Sequence, residues 1–237
     1  MTVENRVKSQ LIKSRRRLLA EVILVAAFVC LPESILCRAQ EPRPRHDFQG
    51  WADLYASHPL NQGIDFQISG GLRYGDDQGH LIYHRISSGF AFHWHRFITI
   101  EPYYLHSVSD TIFGPQTSEN RLALAITTAT SWKHWEISDR NSGERRFVES
   151  ARDWRYRNRV ELRRPVTALH KQISVFVWDE VFYSSTPNKW YRNRIALGAG
   201  RKLSNRISVD VYYLRQNDGI TRPGDLNTLG ISIKTRF

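Results

Sequence analysis

Cysteine is nearly absent from the sequence, and no apolar run in it is long. The two cysteines, Cys30 and Cys37, lie near the amino terminus, so the rest of the chain has no disulfide framework and no thiol chemistry. The longest apolar run, Val22 to Leu31, has ten residues, whereas a membrane-spanning helix needs about 20. These absences argue against a disulfide scaffold and a cysteine-ligated metal, and we predict neither a metal nor a cofactor.

The first 39 residues have the order of charges and apolar residues that a secretory signal peptide shows. A basic stretch that includes Arg15-Arg16-Arg17 comes first, the apolar run follows, and Pro32 and the small residue Ala39 close the segment. We therefore predict a cleaved signal peptide over 1–39 and one exported domain over 40–237. An uncleaved membrane anchor is the alternative.

Lysine is scarce in the predicted domain, although the domain is basic. Residues 40–237 hold 27 basic and 20 acidic side chains, and 22 of the basic ones are arginine. A basic chain often binds nucleic acid, but an exported protein rarely meets it, so we expect no nucleic-acid partner. Most of these arginines fall inside strand-like runs. A planar guanidinium suits such crowded, hydrogen-bonded surroundings better than a lysine ammonium does.

Helical periodicity is missing beyond residue 46, and apolar residues alternate with polar ones instead. In the segment 206–214, for example, Ile207, Val209 and Val211 share one face and Ser208 lies on the other. The alternation and the turn residues between segments predict eleven strands: 48–57, 63–74, 82–94, 96–106, 119–132, 134–148, 154–164, 173–184, 190–201, 206–216 and 226–237.

The pattern favours a barrel whose apolar side chains face outward, towards lipid. Tryptophan and tyrosine gather near the strand ends, as they do at membrane interfaces. The chain also ends on Phe237, with apolar residues alternating back from it, which resembles the signal that the outer-membrane assembly machinery reads. We therefore predict an all-β, transmembrane, antiparallel up-and-down β-barrel in the bacterial outer membrane, with outer-membrane lipid and the assembly machinery as partners. A soluble periplasmic ligand-binding barrel is an alternative.

Strand number and loop lengths follow from this class of protein. Bacterial single-chain barrels have even strand counts, so we expect ten or twelve strands and a miscount at 48–57 or 134–148. We also expect tight turns at one rim and longer loops, over 107–118 and 216–226, at the other.

The string YRNR occurs twice, at 156–159 and 191–194, and a shorter echo, NRLAL, stands at 120–124. The interval of 35 to 38 residues fits one hairpin, so each copy opens a strand of the same direction. With tyrosine towards lipid, the arginines point into the lumen. The strand between the copies carries Asp179-Glu180, and its alternation leaves open which acid faces the arginines. The predicted lumen cluster is Arg121, Arg157, Arg159, Glu161, Asp179, Glu180, Arg192 and Arg194.

Three functions are compatible with such a lumen. The paired charges can simply fill the lumen and hold neighbouring strands together, which is the main interpretation. The excess of arginine can also leave a positive potential, so that the lumen is a narrow, porin-like path for small anions. The third is an enzyme embedded in the barrel that acts on lipid or envelope substrates. The histidines and serines show no Ser/His/acid spacing, so we do not predict an enzyme.

The segment 154–237, from WRYRNRVELRRPV to LNTLGISIKTRF, resembles the bacterial family named domain of unknown function 2490. ISGGLRYGDD at 68–77 and SENRLAL at 118–124 agree more loosely. The resemblance implies an outer-membrane β-barrel and implies no activity. The chain departs from the family over 134–153, where Asn141, Ser142, Gly143 and Glu144 dilute the strand pattern.

Overall fold

The computed structural model describes residues 45–75, 79–111, 114–149, 151–168 and 171–237. Over these ranges the chain forms one closed β-barrel. Its strands are β1 (His46–Pro59), β2 (Ile64–Gly75), β3 (His80–His95), β4 (Ile98–Thr111), β5 (Gly114–Trp132), β6 (Trp135–Val148), β7 (Ala151–Ala168), β8 (Lys171–Ser184), β9 (Lys189–Lys202), β10 (Ile207–Asp218) and β11 (Asp225–Arg236). The predicted signal peptide over 1–39 lies outside the described residues and stays a prediction.

Each of the eleven predicted segments coincides with one strand, including the two that were expected to be miscounted. The segment 134–148 forms the 14-residue strand β6, and it pairs with β5 and β7 along its whole length. Its polar residues do not interrupt it, because Ser142 and Glu144 are buried towards the lumen. No helix long and apolar enough to cross a membrane occurs in the described ranges.

The expected even strand count is wrong, since eleven strands close the barrel. Neighbouring strands along the chain pair antiparallel, whereas β1 and β11 pair in parallel from His46 and Asp225 to Ser57 and Arg236. An odd number of alternating strands leaves the first and last running in the same direction, so only a parallel ladder can join them. That ladder removes the two edges that an open sheet would expose.

The expected long loops at one rim are also wrong. β4 and β5 extend through most of 107–118, where Ser107 pairs with Glu119 and Val108 with Ser118, so only 112–113 separates them. Likewise β10 and β11 take up both ends of 216–226 and leave 219–224 between them. The rim at which β11 ends is called the carboxy-terminal rim below, and the rim at which β1 begins is the amino-terminal rim.

The two faces of the barrel wall have opposite polarity. On β11, Leu229 is 50% exposed on the outer face, whereas the adjacent Thr228 is fully buried on the lumen side. Tryptophans stand on the outer face towards both ends, with Trp154 and Trp190 near the amino-terminal rim and Trp132 near the carboxy-terminal rim. An apolar exterior between aromatic belts and a polar interior define a transmembrane β-barrel, which confirms the predicted fold class.

Candidate functional site

Glu180 is the centre of the largest group of charges in the lumen. It lies on β8, between Arg159 of β7 and Arg194 of β9 in the hydrogen-bonded ladder. The Nη2 atom of Arg157 lies 2.6 Å from its Oε1, and the Nη2 of Arg159 and the Nη1 of Arg194 lie 3.3 Å and 3.7 Å from its Oε2. Both YRNR copies therefore bind the same carboxylate, which joins three neighbouring strands.

Asp179 is not part of this cluster, so of the two acids between which the sequence left the choice open, Glu180 is the one that faces the arginines. Alternation along β8 turns Asp179 to the outer face when Glu180 faces the lumen. On the outer face, its Oδ1 accepts a 2.7 Å hydrogen bond from Nδ2 of Asn193. The sequence left this choice open because β8 carries apolar residues on both faces.

Arg121 and Arg192 face the lumen as predicted, but they bind other acids, and Arg121 shares its carboxylate with Arg146. Arg121 donates from Nε and Nη2 to Glu119, at 2.6 Å and 2.8 Å. Arg192 donates from Nε to Asp218, at 2.6 Å. The predicted single cluster is thus a series of ion pairs along the barrel wall.

Glu161 is also inside the lumen, and its partner Arg163 links strands that are not neighbours. The Nε atom of Arg163 lies 3.0 Å from Oε1 of Glu161 on the same strand. Its two Nη atoms each lie 3.1 Å from an oxygen of Asp210, which belongs to β10. Gly200 on β9 lies between them, and a methyl group there would overlap Oδ1 of Asp210. The arginine reaches across two strands because a glycine leaves the space.

Glu144 is a central member of the network that the sequence reasoning missed. It is buried and contacts Arg155, whose Nε lies 2.8 Å from its Oε2, and Arg157, whose Nη1 lies 2.9 Å from its Oε1. Arg157 therefore bridges Glu144 and Glu180. The alternation of Ser142, Glu144 and Arg146 on β6 carried the signal, but the segment was treated as a weak strand.

Arg73 faces the lumen outside the predicted cluster, and it differs from the other arginines of the lumen. Its guanidinium carbon lies 4.1 Å from the ring centroid of Trp51 and 4.3 Å from that of Tyr83. Within the described ranges no carboxylate lies at ion-pair distance from it. Two aromatic rings fix this cation in place, and it forms no ion pair with a described residue.

A cavity of about 900 Å³ occupies the lumen between these side chains. Eleven arginines, Lys234 and six carboxylates line it. Three more carboxylates, those of Glu144, Asp153 and Asp218, pair with arginines of the lining. With these nine acids set against twelve bases, the lumen carries an excess of three positive charges.

The histidines considered for an enzyme are spread over both faces of the wall. His93 has its Nε2 3.3 Å from Oδ2 of Asp65 and its Nδ1 3.4 Å from Oγ1 of Thr99. His106 lies on the outer face, with its Nδ1 2.9 Å from Oδ1 of Asn120. The alternative of a barrel-embedded enzyme stays a prediction.

Phe237 lies at the carboxy-terminal rim, beside the end of β1. Its backbone N–H donates to the carbonyl of Ser57 at 3.1 Å, and its ring centroid lies 5.4 Å from that of His58. These contacts anchor the last residue to the strand that closes the barrel. The role of Phe237 as an assembly signal stays a prediction.

Fold and lumen together define a closed β-barrel with an apolar exterior and an arginine-rich interior. The family model described as "Protein of unknown function (DUF2490)" matches residues 48–226. The chain therefore belongs to this family, and the resemblance noted in the sequence is confirmed. No curated protein matches the chain.

Two solved structures match the chain at low sequence identity. LpxR from Salmonella typhimurium has 11% sequence identity and a TM-score of 0.46, with 77% of this chain and 87% of that chain covered. The siderophore receptor PirA from Pseudomonas aeruginosa has 14% identity and a TM-score of 0.33, with 69% and 34% covered. Neither likeness says anything about the activity of this chain.

Proposed function

We propose that this protein is an outer-membrane β-barrel whose lumen is a narrow path for small anions, while most of the lumen's ion pairs hold the wall together. It reaches the membrane through a cleaved signal peptide and the outer-membrane assembly machinery. The exposed apolar band supports the membrane location, because side chains such as Leu229 would otherwise face water. No catalytic role is assigned to the lumen.

The ion pairs of the lumen support a structural role because they join different strands. Glu180 alone links β7, β8 and β9 through three arginines, and Arg163 links β7 to β10. A buried carboxylate that loses its arginine partners keeps an uncompensated charge in a poorly solvated space, and so does a buried arginine that loses its carboxylate. Inside the barrel these contacts add to a buried apolar cluster on the lumen side of the wall, formed by Trp51, Phe176, Trp178, Ala196, Leu214 and Leu226.

The observation that carries the anion path is the Arg73 guanidinium, which has no carboxylate at ion-pair distance among the described residues. It is one of the twelve bases that give the excess of three positive charges, and its two aromatic neighbours hold it beside the cavity. The cavity lining extends from Thr221 at the amino-terminal rim to Thr235 near the carboxy-terminal rim. A lining with an excess of positive charge raises the local concentration of anions and lowers that of cations.

Reversal potentials in planar bilayers test this function. With a gradient of potassium chloride across the bilayer, we expect the purified protein to form small channels that prefer chloride. Replacing Arg73→Gln should lower the chloride preference, since it removes a lumen cation that has no carboxylate at ion-pair distance among the described residues. Arg145→Gln is the matched control, because Arg145 lies on the outer face beside Trp154. Cation-selective channels, or no channels from correctly folded protein, would contradict the proposal.

A further inference from the structure

Two opposite charges lie on the outer face of the barrel, on strands β8 and β10, which have the strand β9 between them. Asp179 on β8 and Arg215 on β10 both point outward, since their neighbours Glu180 and Gln216 are buried in the lumen. The ladder pairs Asp179 with Ile195 and Ile195 with Arg215. The acid, the apolar residue and the base therefore form one row across three strands.

Neither charge is neutralised within the barrel wall. Asp179 accepts one hydrogen bond, from Asn193, and Arg215 donates one, at 3.2 Å, to Oδ1 of Asn227. Among the ion pairs of the described residues, none involves either side chain. Strands lie about 4.8 Å apart, so the two side chains start about 10 Å from each other on the same face. Their separation explains why they do not pair within one molecule.

This pair of charges lies inside the band that should face lipid. Asp179 is four residues from Tyr183, an outward aromatic residue near the amino-terminal rim. Ile195 is 49% exposed and Leu197, the next outward residue of β9, is 66% exposed. A charged side chain on the lipid face of a barrel costs about 2–4 kcal/mol for arginine at the midplane, and less for aspartate. A partner that supplied the opposite charges would remove this cost.

We propose that the partner is a second copy of this chain, docked through β8, β9 and β10. Two barrels inserted in the same direction can be related by a two-fold axis parallel to the barrel axes. With the axis over Ile195, β8 of each copy faces β10 of the other. Asp179 of each copy then faces Arg215 of the other, so the same row forms two ion pairs and an apolar centre.

The row is self-complementary in charge, which is what singles out a second copy as the occupant. A surface with one sign of charge would repel itself across a two-fold axis. Strand tilt of about 40° offsets the two side chains by about 6 Å along the barrel axis, a distance that a flexible arginine side chain can cover. The remaining contacts pair Ile195 and Leu197 with the same apolar residues of the other copy.

Asp139 on β6 shows why an acid on the lipid-facing side is not by itself sufficient for docking a second copy. It also lies on the outer face without a cation, but it accepts hydrogen bonds from two amides, those of Asn141 and Asn158. Its row holds no basic residue on the next two strands, where Val160 and Asp179 follow. Among the described strands, the row over Ile195 places an acid and a base on either side of a possible axis.

A charge-reversal series on the full-length protein tests the pairing. In detergent or nanodiscs, mass photometry should show wild-type dimers. Asp179→Arg and Arg215→Asp should each weaken the dimer by about ten-fold or more, because like charges then face each other. The double variant with both changes should recover the dimer. A monomeric wild type, or a double variant as weak as the single ones, would overturn the proposal.

Folding of each variant is checked by its heat-modifiable mobility on gels. If a reversal prevents folding, Asp179→Asn and Arg215→Gln replace it, and each should weaken the dimer by a smaller factor. Ser88→Arg is the control, since Ser88 is exposed on the outer face of β3, on the opposite side of the barrel. It introduces a lipid-facing charge of the same kind and should leave the dimer intact.

Cross-linking in intact outer membranes tests the position of the axis. In a chain with Cys30→Ser and Cys37→Ser, oxidation should join two copies through Ile195→Cys. Ile86→Cys on β3 is the matched control, because Ile86 is 54% exposed and Ile195 is 49% exposed. It should stay monomeric. No cross-link at Ile195→Cys, or an equal one at Ile86→Cys, would contradict the inferred interface. Dimerisation does not depend on what passes through the lumen.

Discussion

Asp179 and Glu180 are neighbours in the chain, yet their surroundings are opposite. Glu180 is 2% exposed and lies against the guanidinium groups of Arg157, Arg159 and Arg194. Asp179 faces outward and has one amide, from Asn193, as its hydrogen-bond partner. One step along a strand moves an acid from a charged interior to an apolar surface. Charge inside the wall is mostly neutralised by the barrel itself, whereas charge on the outer face is left for another molecule.

The largest expected difference between the two acids is in the stability of the barrel. Glu180→Gln should lower the free energy of unfolding by about 3–5 kcal/mol, because it leaves the buried Arg159 and Arg194 without a carboxylate. Asp179→Asn should change it by less than about 1 kcal/mol, since the new amide oxygen can still accept the hydrogen bond from Asn193. Urea-induced unfolding in lipid vesicles measures both. Equal losses for the two variants would show that the inside and the outside of β8 do not differ as described.

A smaller effect is expected where a glycine lets an arginine cross the lumen. Gly200→Ala should destabilise the barrel by about 1–3 kcal/mol, because the added methyl group overlaps Asp210 and displaces it from Arg163. Gly143→Ala is the matched control, since no atom lies within 4 Å of the added methyl group there. The same unfolding experiment compares them. A loss at Gly143 as large as that at Gly200 would sink the idea that Gly200 makes room for the Arg163–Asp210 pair.

The strands were predictable because alternation is a local property of the sequence. All eleven segments were placed correctly, even the segment that became β6, since each strand buries every second residue. The expected even strand count was wrong because it was taken from the strand numbers of other bacterial barrels and not from this sequence. Closure by a parallel ladder joins His46 to Asp225, residues that no local pattern relates.

The sequence predicts which side chains face the lumen, but it does not predict which of them form ion pairs with each other. Period two placed Arg157 and Arg194 inward correctly, and it left the choice between Asp179 and Glu180 open, because apolar residues on both faces of β8 hid the register. Which acid meets which arginine depends on the neighbouring strands and on the space across the lumen. The bridge from Arg163 to Asp210 needs both the barrel's curvature and the absence of a side chain at Gly200.

The central claim is that the barrel is apolar outside and charged inside, within a membrane. Spin labels at successive cysteine positions along β11, from Thr228 to Ile233, test it most directly in lipid vesicles. Collision with oxygen, which is concentrated in lipid, should be high for labels replacing Leu229, Ile231 and Ile233 and low for those at the intervening positions. Uniform accessibility to a water-soluble nickel reagent, or an alternation of the opposite phase, would contradict the account.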